Sequence, residues 1–247
     1  MVRLGIIGYG KMGQLIEKIA LEKGHEVNAI IDPVKNTVIN EETLKDVDVC
    51  IDFSMPATAV ENIEKMAKLG KNIVVGTTGW YEQMAKVEQI TKENNVGLIW
   101  SGNFSLGVNA FFKIIKNASK VFNNLENYDV MVHEFHHKNK ADSPSGTAKM
   151  IGDRIIDNLD RKDTIVTEEL KRKIEENELH ISSTRGGSIP GTHSVLFDSD
   201  EDTIELKHTA RGRVGFAVGS VVAAEFIFGK KGFFSIDDLM ESILGDE

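Results

Sequence analysis

The 247-residue sequence contains a single cysteine, Cys50, and only four prolines. One cysteine excludes an intramolecular disulfide and a cysteine-based zinc site, and such sparse cysteine is typical of a reducing compartment. Positive charge is also scarce, since 29 Lys and Arg stand against 38 Asp and Glu, a formal net charge of −9. That balance argues against a general binder of nucleic acid or of membrane surfaces, because such proteins depend on a positive field.

Long hydrophobic runs are missing as well. The apolar residues 4–7 near the start are followed at once by glycines and a lysine, and a signal peptide needs a longer unbroken segment. No stretch of the sequence approaches the roughly 18 apolar residues of a membrane-spanning helix. We therefore expect a soluble, cytoplasmic protein without a membrane or nucleic-acid partner.

Strand and helix patterns alternate over the first hundred residues. Helical spacing predicts helices that begin near residues 12, 56 and 81. Short apolar runs typical of buried parallel strands occur at residues 4–7, 27–31, 47–53, 73–75 and 97–100. Repeated strand–helix–strand units of this kind predict an α/β fold, a Rossmann-type doubly wound parallel sheet.

The pattern changes after a helix predicted over residues 108–122. Strand patterns then come in series, separated by glycine-rich or acidic turns, which predicts a second, α+β domain on an open mixed sheet. These strand patterns lie at residues 128–135, 179–184, 193–197 and 203–207. Helices are predicted at residues 147–159, at the charged and solvated residues 167–177, and at the apolar residues 214–228, which should form a buried helix.

Three glycines near the start fit the G-x-G-x-x-G pattern of a dinucleotide-binding turn. Gly8 would permit the tight turn, Gly10 would let the backbone approach a pyrophosphate, and Gly13 would let the helix pack on the strand. Asp32 ends the next predicted strand, where a carboxylate can accept hydrogen bonds from a ribose. The alternative is a merely structural turn, but the strand–turn–helix context favours a dinucleotide.

Asp32 also bears on which dinucleotide binds. Its negative charge would oppose a 2′-phosphate, which favours NADH over NADPH. Lys35 lies three residues further on and could partly offset that charge, although a solvated loop cation is the simpler interpretation. The sequence therefore predicts NADH or NADPH with a preference for NADH.

Two further loops follow predicted strands of the parallel sheet. Residues 76–79 (GTTG) follow the fourth strand and residues 101–104 (SGNF) follow the fifth. Both lie at carboxyl ends of parallel strands, where open α/β sheets place their ligands. Small and hydroxylated residues would let a nicotinamide approach the backbone, and Phe104 could pack against its ring. The alternative is that both loops are ordinary turns that bind no ligand.

Residues 133–137 satisfy the H-E-x-x-H pattern of zinc peptidases. That chemistry needs both histidines on one helical face, with the glutamate beside the metal. Residues 130–132 alternate like a strand instead, so the helical face that would bring His133 and His137 together is not predicted, and a strand would send His133 and His136 to opposite faces. The lysines that follow would also place cations near a metal, so we expect no metal centre of this type.

Residues 134–148 concentrate proton-transfer and anion-binding groups in one segment. Histidine titrates near neutrality, and a lysine beside other cations releases its proton more easily, so His136, His137 and Lys140 are suited to proton exchange. Residues 145–147 begin a helix whose amides and hydroxyls would hold a carboxylate. A polar loop with a helix cap is the alternative, but the density of functional groups favours an acid–base site for an anionic substrate.

The same segment resembles the E-x-H-H-x-x-K-x-D-x-P-S-G-T-A block of the dihydrodipicolinate reductase family, the 4-hydroxy-tetrahydrodipicolinate reductases. The resemblance spans essentially the full chain. It is supported in family order by residues 8–13, 52–53, 76–79, 103–109, 185–187, 190–193 and 216–217. It implies reduction of 4-hydroxy-tetrahydrodipicolinate to tetrahydrodipicolinate, with loss of water, by NADH or NADPH in lysine and diaminopimelate biosynthesis.

The resemblance also implies an organisation and a set of roles. Residues 1–105 plus 214–247 would form the dinucleotide-binding domain, and residues 106–213 a substrate-binding and tetramerisation domain of a homotetramer. His136 would be the proton donor and acceptor, and Lys140 the proton donor. The implied substrate-binding residues are His137, Ser145, Gly146 and Thr147. The implied cofactor-binding residues are Gly8, Tyr9, Gly10, Lys11, Met12, Gly13, Asp32, Gly76, Thr77, Thr78, Ser101, Gly102, Asn103 and Phe104.

Two other functions remain open at this point. A related amino-acid or imine dehydrogenase with the same two-domain plan would act on a different oxidised substrate. A non-catalytic nucleotide sensor would bind NADH but would need no proton donors, so the histidines and lysine of residues 134–148 count against it. The sequence also departs from many relatives, which carry one more residue in the glycine turn and a longer segment than residues 33–46.

Overall fold

The computed structural model describes residues 1–245, which form two compact units. One unit comprises Met1–Asn109 together with the chain from Arg213 onward, and the other comprises Ala110–Gly212. In chain order the elements are β1 (Arg3–Ile7), α1 (Lys11–Glu22), β2 (Glu26–Ile31), α2 (Glu41–Leu44), β3 (Val49–Asp52), α3 (Pro56–Lys68), β4 (Asn72–Val75), α4 (Met84–Glu93), β5 (Gly97–Trp100), α5 (Leu106–Phe122), β6 (Asp129–His136), α6 (Gly146–Ile156), β7 (Thr164–Val166), β8 (Glu178–Arg185), β9 (Thr192–Asp198), β10 (Thr203–Thr209), α7 (Val214–Ile227), β11 (Gly232–Ser235) and α8 (Ile236–Leu244).

A six-stranded parallel sheet forms the centre of the first unit. Its strands lie in the order β2-β1-β3-β4-β5-β11, and every neighbouring pair is parallel. Strands β3 and β4 are buried along their whole length, which is why their sequences are unbroken apolar runs rather than alternating ones. The prediction of a Rossmann-type parallel sheet is confirmed.

The strand order reverses between β1 and β3, and this reversal positions the loops that the sequence predicts to bind a ligand. In open α/β sheets a crevice forms outside the carboxyl ends of the strands where the order reverses. The loops after β1 and β3 meet there, because Phe53 donates its amide to the Ile7 carbonyl at 2.9 Å. Only the short turn Pro33–Lys35 and the four-residue α2 separate β2 from β3, in keeping with the short segment read from the sequence.

Helix α7 is the buried helix predicted from its apolar sequence. Its buried residues include Ala217, Val221 and Ala224, and the helix packs on β3, β4 and β5. Gly219 lets the helix approach the backbone of Phe104 closely, since a Cβ at position 219 would lie 1.7 Å from the Phe104 carbonyl oxygen. Within the described chain, no helix has the length and apolarity needed to cross a membrane.

The second unit is built on a five-stranded mixed sheet in the order β10-β9-β6-β8-β7. Strands β10, β9 and β6 pair antiparallel, whereas β6, β8 and β7 pair parallel, which confirms the predicted open mixed sheet. Along β6 every second residue is buried, so Val130, Val132, Glu134 and His136 share the inner face. This alternation places a carboxylate and an imidazole side by side inside the unit.

The prediction of a solvated helix at residues 167–177 is wrong. The chain there forms bends and turns between β7 and β8, with nearly every residue exposed. Leu170 and Ile174 are the apolar residues of this charged segment, too few for a helix to gain much from tertiary packing, and a short helix is marginal in water on propensity alone. The segment is tied down by side chains instead, because Arg172 pairs with Glu178 at 2.5 Å.

Candidate active site

The glycine turn of the first unit has a backbone that only glycine fits well. Gly8 has φ +87°, and a Cβ there would lie 2.5 Å from the carbonyl oxygen of Phe53. A Cβ on Gly13 would lie 2.2 Å from the Gly8 oxygen, so the third glycine lets α1 pack against the turn. These two glycines bring the end of β1 directly into the start of α1.

Gly10 leaves the N-terminus of α1 open to an anionic ligand. It is the N-cap of the helix, has no side chain to cap the first turn, and a Cβ there would meet nothing within 4 Å. The amides of the first turn are therefore available to a phosphate, which helix N-termini favour. The exposed Lys11 and the half-buried Met12 begin the helix. This cradle fits the pyrophosphate of a dinucleotide.

Asp32 follows β2 beside the same turn. Its carboxylate accepts the amide of Tyr9 and the amide of Val34, both at 2.8 Å. These two hydrogen bonds hold the pKa of Asp32 below its usual range, so the group is ionised at neutral pH. Each carboxylate oxygen keeps a further lone pair, which suits a ribose hydroxyl.

Lys35 is exposed and contacts the aromatic ring of Tyr9 in the glycine turn. Its Nζ lies 4.0 Å from the ring centroid of Tyr9, and the Tyr9 hydroxyl in turn bonds to Glu17. The lysine is thus held over the glycine turn, on the same side of the molecule as the Asp32 carboxylate that its charge helps to keep ionised.

The loop after β4 is organised by a buried aspartate. Thr77 is buried and donates its hydroxyl to Asp52 at 2.6 Å, so its side chain has a structural partner. Gly76 lies against Phe53, since a Cβ on Gly76 would be 2.1 Å from the Phe53 ring. Thr78 is exposed at the end of the loop. The backbone of residues 76–78 and the Thr78 side chain are therefore the parts of this loop that a ligand can reach.

The loop after β5 is held by its own hydrogen bonds. Ser101 Oγ bonds both the amide and the carbonyl of Asn103, at 3.0 and 2.9 Å. The Phe104 ring is only 1% exposed and packs near Phe53, with ring centroids 6.5 Å apart. Gly102 is exposed. Phe104 therefore supports the loop from inside, while Gly102 and the partly exposed Asn103 form its accessible surface.

In the second unit, Glu134 of β6 is a fully buried carboxylate at the centre of a hydrogen-bond network. Ser145 reaches both of its oxygens, with its amide at 2.9 Å from Oε1 and its hydroxyl on Oε2. Arg185 donates to Oε1 at 2.7 Å, Ser183 donates to Oε1 at 2.9 Å, and His193 Nε2 lies 3.3 Å from Oε2. The network joins β6, β8, β9 and the start of α6.

These partners decide the charge of Glu134. Burial alone would raise the pKa of this carboxyl, but the hydrogen bonds from His193, Ser145 and Arg185 outweigh it and hold the pKa well below the usual range. Glu134 is therefore ionised throughout the neutral range, and its buried charge is compensated by these hydrogen bonds and by the ion pair with Arg185.

His136 lies two residues further along β6, on the same face. Its Nδ1 is 3.0 Å from the Pro190 carbonyl, which can only accept, so Nδ1 carries a proton. Its Nε2 is buried, lies 3.4 Å from Glu134 Oε2, and has no hydrogen-bond partner among the described residues. Burial lowers the pKa of His136, so the ring is neutral at pH 7 and Nε2 offers a free lone pair. Gly191 makes room for the ring, since a Cβ there would lie 2.7 Å from His136 Cε1.

His137 and Lys140 belong to the loop that follows β6. His137 donates its amide to the Ile189 carbonyl at 2.8 Å, and its Nδ1 is a second buried nitrogen without a partner in the described part of the chain. Lys140 pairs with Asp142 at 2.8 Å, and the lysine side chain is 22% exposed. Both side chains thus carry polar groups that can contact a ligand bound beside this loop.

Ser145 is the N-cap of α6 and connects the anion-binding turn to the buried network. Its Oγ accepts the amide of Ala148 at 3.1 Å while it donates to Glu134. The first helical backbone bond is that of Lys149 to the Ser145 carbonyl, so the amides of Gly146 and Thr147 precede it and face outward from the helix end. This turn offers free amides of the kind that can bind an anion at a helix N-terminus.

Sequence reasoning missed three members of this cluster as site residues: Glu134, Arg185 and His193. In the sequence, Glu134 stands out only as part of the block at residues 134–148. Arg185 and His193 stand out only as members of the supporting segments 185–187 and 190–193. What brings them together is the strand register, which pairs Glu134 with His193 across β6 and β9 and places Arg185 opposite His136 across β6 and β8. The available signal for Glu134 was the alternating sequence pattern of β6, in which Val130 and Val132 predict that position 134 faces inward.

Models of known protein families match nearly the whole chain. The family model described as dihydrodipicolinate reductase, N-terminus, matches residues 2–104, and the corresponding C-terminus model matches residues 107–240. The chain belongs to the dihydrodipicolinate reductase family. The resemblance read from residues 134–148 is thereby confirmed, and the chain is an oxidoreductase of that family.

Individual relatives match over nearly the whole chain. The 4-hydroxy-tetrahydrodipicolinate reductase of Christiangramia forsetii is 38% identical over 98% of this chain and 99% of its own length. That of Caldanaerobacter subterraneus is 37% identical over the same shares. A dihydrodipicolinate reductase from Paenisporosarcina sp. TG-14, solved with dipicolinate bound, has a TM-score of 0.78 at 23% identity and covers 95% of this chain and 97% of its own. The reductase fold therefore extends over both units.

Proposed function

We propose that this protein reduces 4-hydroxy-tetrahydrodipicolinate to tetrahydrodipicolinate with NADH or NADPH and releases water, in lysine and diaminopimelate biosynthesis. One observation carries the proposal. His136, with a protonated Nδ1 and a buried free Nε2, lies 3.4 Å from the Glu134 carboxylate, which accepts a hydrogen bond from Ser145, the residue that begins the proposed anion-binding turn of α6. A proton-transfer group and a carboxylate site are thus built on one network in a reductase of this family.

The substrate class follows from the charges and amides around that network. A cyclic dicarboxylate needs anion-binding groups, and Ser145, Gly146 and Thr147 supply a helix N-terminus for one carboxylate. His137 and the Lys140 ammonium supply donors in the neighbouring loop. A relative of the same fold was solved with dipicolinate, itself a cyclic dicarboxylate, which supports this assignment.

The proton roles follow from the states of the side chains. The reaction adds a hydride and a proton to the substrate and releases water, and the bound nicotinamide supplies the hydride. Lys140, an ammonium with three donor hydrogens, is the proton donor, and its positive charge stabilises the negative charge that develops on the substrate. His136 accepts or returns a proton at Nε2, because its Nδ1 proton is held by Pro190.

The same proposal assigns the parts of the chain. Residues 1–105 plus 214–247 bind the dinucleotide, with its pyrophosphate on the Gly8–Gly13 turn and α1 and its ribose at Asp32. The loops at residues 76–78 and 101–104 lie at the same sheet edge and approach the nicotinamide end. Residues 106–213 bind substrate and build a homotetramer in the cytoplasm.

The test of the activity is oxidation of NADH and of NADPH, followed by loss of nicotinamide absorbance. Substrate is generated in place from pyruvate and aspartate semialdehyde by the preceding synthase, and omission of the synthase is the control. We expect rapid oxidation that depends on the synthase. Tight NADH binding without oxidation, or reduction of NAD⁺ by an amine, would instead favour a nucleotide sensor or an amine dehydrogenase.

Cofactor choice is expected to depend on Lys35. Because Lys35 is held over Tyr9 beside Asp32, we propose that NADH is favoured and that Lys35 permits NADPH by pairing with its 2′-phosphate. Lys35→Ala should raise the KM for NADPH about 10-fold, which corresponds to loss of one charged hydrogen bond of about 1.4 kcal/mol, and should leave the KM for NADH nearly unchanged. Lys35→Arg is the matched control, and an equal change for both cofactors would contradict the assignment.

A further inference from the structure

Three ligand atoms face one small buried space in the second unit. Because β6 and β9 pair antiparallel with Glu134 opposite His193, both side chains lie on the inner face of the sheet, and His136 joins them two residues along β6. Glu134, His136 and His193 are only 0%, 8% and 4% exposed, respectively. Their ligand atoms all lie within 4.8 Å of one another.

The spacing matches the coordination shell of zinc. Zinc binds imidazole nitrogen and carboxylate oxygen at about 2.0–2.1 Å, and in a tetrahedron neighbouring ligands then lie roughly 3.3–3.4 Å apart. Glu134 Oε2 is 3.4 Å from His136 Nε2 and 3.3 Å from His193 Nε2. Two imidazoles and one carboxylate are a donor set that zinc favours, and they leave a fourth position for water.

The surrounding hydrogen bonds orient two of the three donors, His136 and Glu134, toward the shared space. Pro190 accepts the Nδ1 proton of His136 and so presents the Nε2 lone pair, which is buried and unpartnered within the described residues. Arg185 and Ser183 hold Oε1 of Glu134, which leaves Oε2 one lone pair beyond the Ser145 hydroxyl. Partners of this kind on the far side of a ligand are typical of protein zinc sites. His193 has no such partner among the described residues, because its Nδ1 is buried without one, and its Nε2 would exchange its contacts with Ser145 and Glu134 for the metal.

We propose that Glu134, His136 and His193 bind one Zn²⁺ ion reversibly and that the bound ion inhibits the enzyme. A metal on His136 Nε2 would occupy the lone pair that proton transfer uses, so the inhibitory half of the proposal rests on the function proposed above. Arg185 already offsets part of the carboxylate charge, so binding is weaker than that of a resident catalytic zinc and is reversed by a chelator.

This triad is distinct from the H-E-x-x-H pattern of the sequence. His133 points to the other face of β6, where its Nδ1 lies 2.6 Å from the Ser182 hydroxyl. The zinc-peptidase arrangement is therefore not formed, and His193, which is remote in sequence, takes the place of a helical partner.

Direct binding tests the site independently of turnover. Full-length, tag-free protein is stripped with a chelator and titrated with Zn²⁺ by calorimetry, and with Co²⁺ to record the visible bands of a four-coordinate ion. We expect one site per chain, weakened at least about 100-fold in His193→Gln, since loss of even an outer-shell partner costs about 10–100-fold. His180→Gln, on neighbouring β8, is the matched control and should bind as the wild type does.

The outcomes separate the metal site from the enzymatic function. No binding, or equal binding by wild type and His193→Gln, would overturn the site, and His193→Asn serves if the glutamine variant does not fold. Zinc bound at the triad without loss of turnover would overturn inhibition while the site stands. If metal-free protein shows no reductase activity, the proposed function fails, and calorimetry still decides whether the triad binds zinc.

Discussion

Replacement of Lys140 by alanine is expected to lower turnover by about 10²–10⁴-fold, the usual contribution of a positioned general acid. The structure holds the Lys140 ammonium against Asp142 at 2.8 Å, in a loop that also contains His137. Alanine removes both the proton donor and the positive charge that would stabilise the developing negative charge on the substrate. The measurement is kcat with substrate generated in place by the synthase.

Replacement of His136 by alanine should cause a loss in the same range. The pKa of His136 is lowered by burial, so the wild-type ring is neutral and ready to accept a proton at Nε2 at working pH. Alanine leaves that position without a titrating group and removes the hydrogen bond to the Pro190 carbonyl.

Matched controls come from the same part of the chain. Lys138→Ala removes an exposed cation two residues from Lys140, and His180→Ala removes a histidine of β8 outside the Glu134 network. Both should keep turnover within a few-fold of the wild type. NADH affinity, measured by fluorescence, should be unchanged in all four variants, because Gly8–Gly13 and Asp32 belong to the other compact unit. A loss of less than a few-fold in both Lys140→Ala and His136→Ala would contradict the proposed roles.

The parallel sheet and its glycine turn were predictable because their determinants are local. A strand buried on both faces must be apolar throughout, as β3 and β4 are, and such runs separated by helical spacing leave few alternatives to a doubly wound sheet. Gly8 and Gly13 were readable for a similar reason, since a positive φ and a close backbone approach leave room for little else.

The network around Glu134 was not predictable in the same way. Its members Ser145, Arg185 and His193 are separated by 8 to 48 residues along the chain, and the register of β6 with β8 and β9 is what brings Arg185 and His193 to the carboxylate. Strand register depends on the whole sheet, so the sequence pattern of one strand shows which residues face inward but not what they meet.

One smaller error has a local origin. Residues 167–177 have helical composition, but Leu170 and Ile174 offer too small an apolar face to dock a helix, so the Arg172–Glu178 pair and local turns decide their structure. Lys35 is exposed, as expected of a solvated loop cation, and nothing in the sequence indicates its contact with the Tyr9 ring.

Glu134 is where a single substitution should destabilise the protein most. Removing one partner of a buried ion pair costs about 3–5 kcal/mol, because the remaining charge is left uncompensated. In Glu134→Ala the Arg185 guanidinium, whose side chain is 18% exposed, would lose its carboxylate, and the Ser145 hydroxyl and amide would lose their acceptor. We expect a loss of free energy of unfolding of the second unit in that range, measured by urea titration at pH 7.

The loss of stability caused by Glu134→Ala should also depend on pH, and it should become smaller as the pH falls. The pKa of Glu134 is held below its usual range in the folded protein, so its contribution is fully present above the unfolded value of about 4.3 and is lost as the pH falls toward the folded value. The difference between wild type and Glu134→Ala should therefore be constant from about pH 6 to 8 and shrink below about pH 4. Glu169→Ala, at an 83% exposed carboxylate, is the control and should change stability by less than about 0.5 kcal/mol. A Glu134→Ala difference as small as that of the control would mean that Arg185 and Ser145 find other partners, and that the buried carboxylate is not what holds α6, β8 and β9 together.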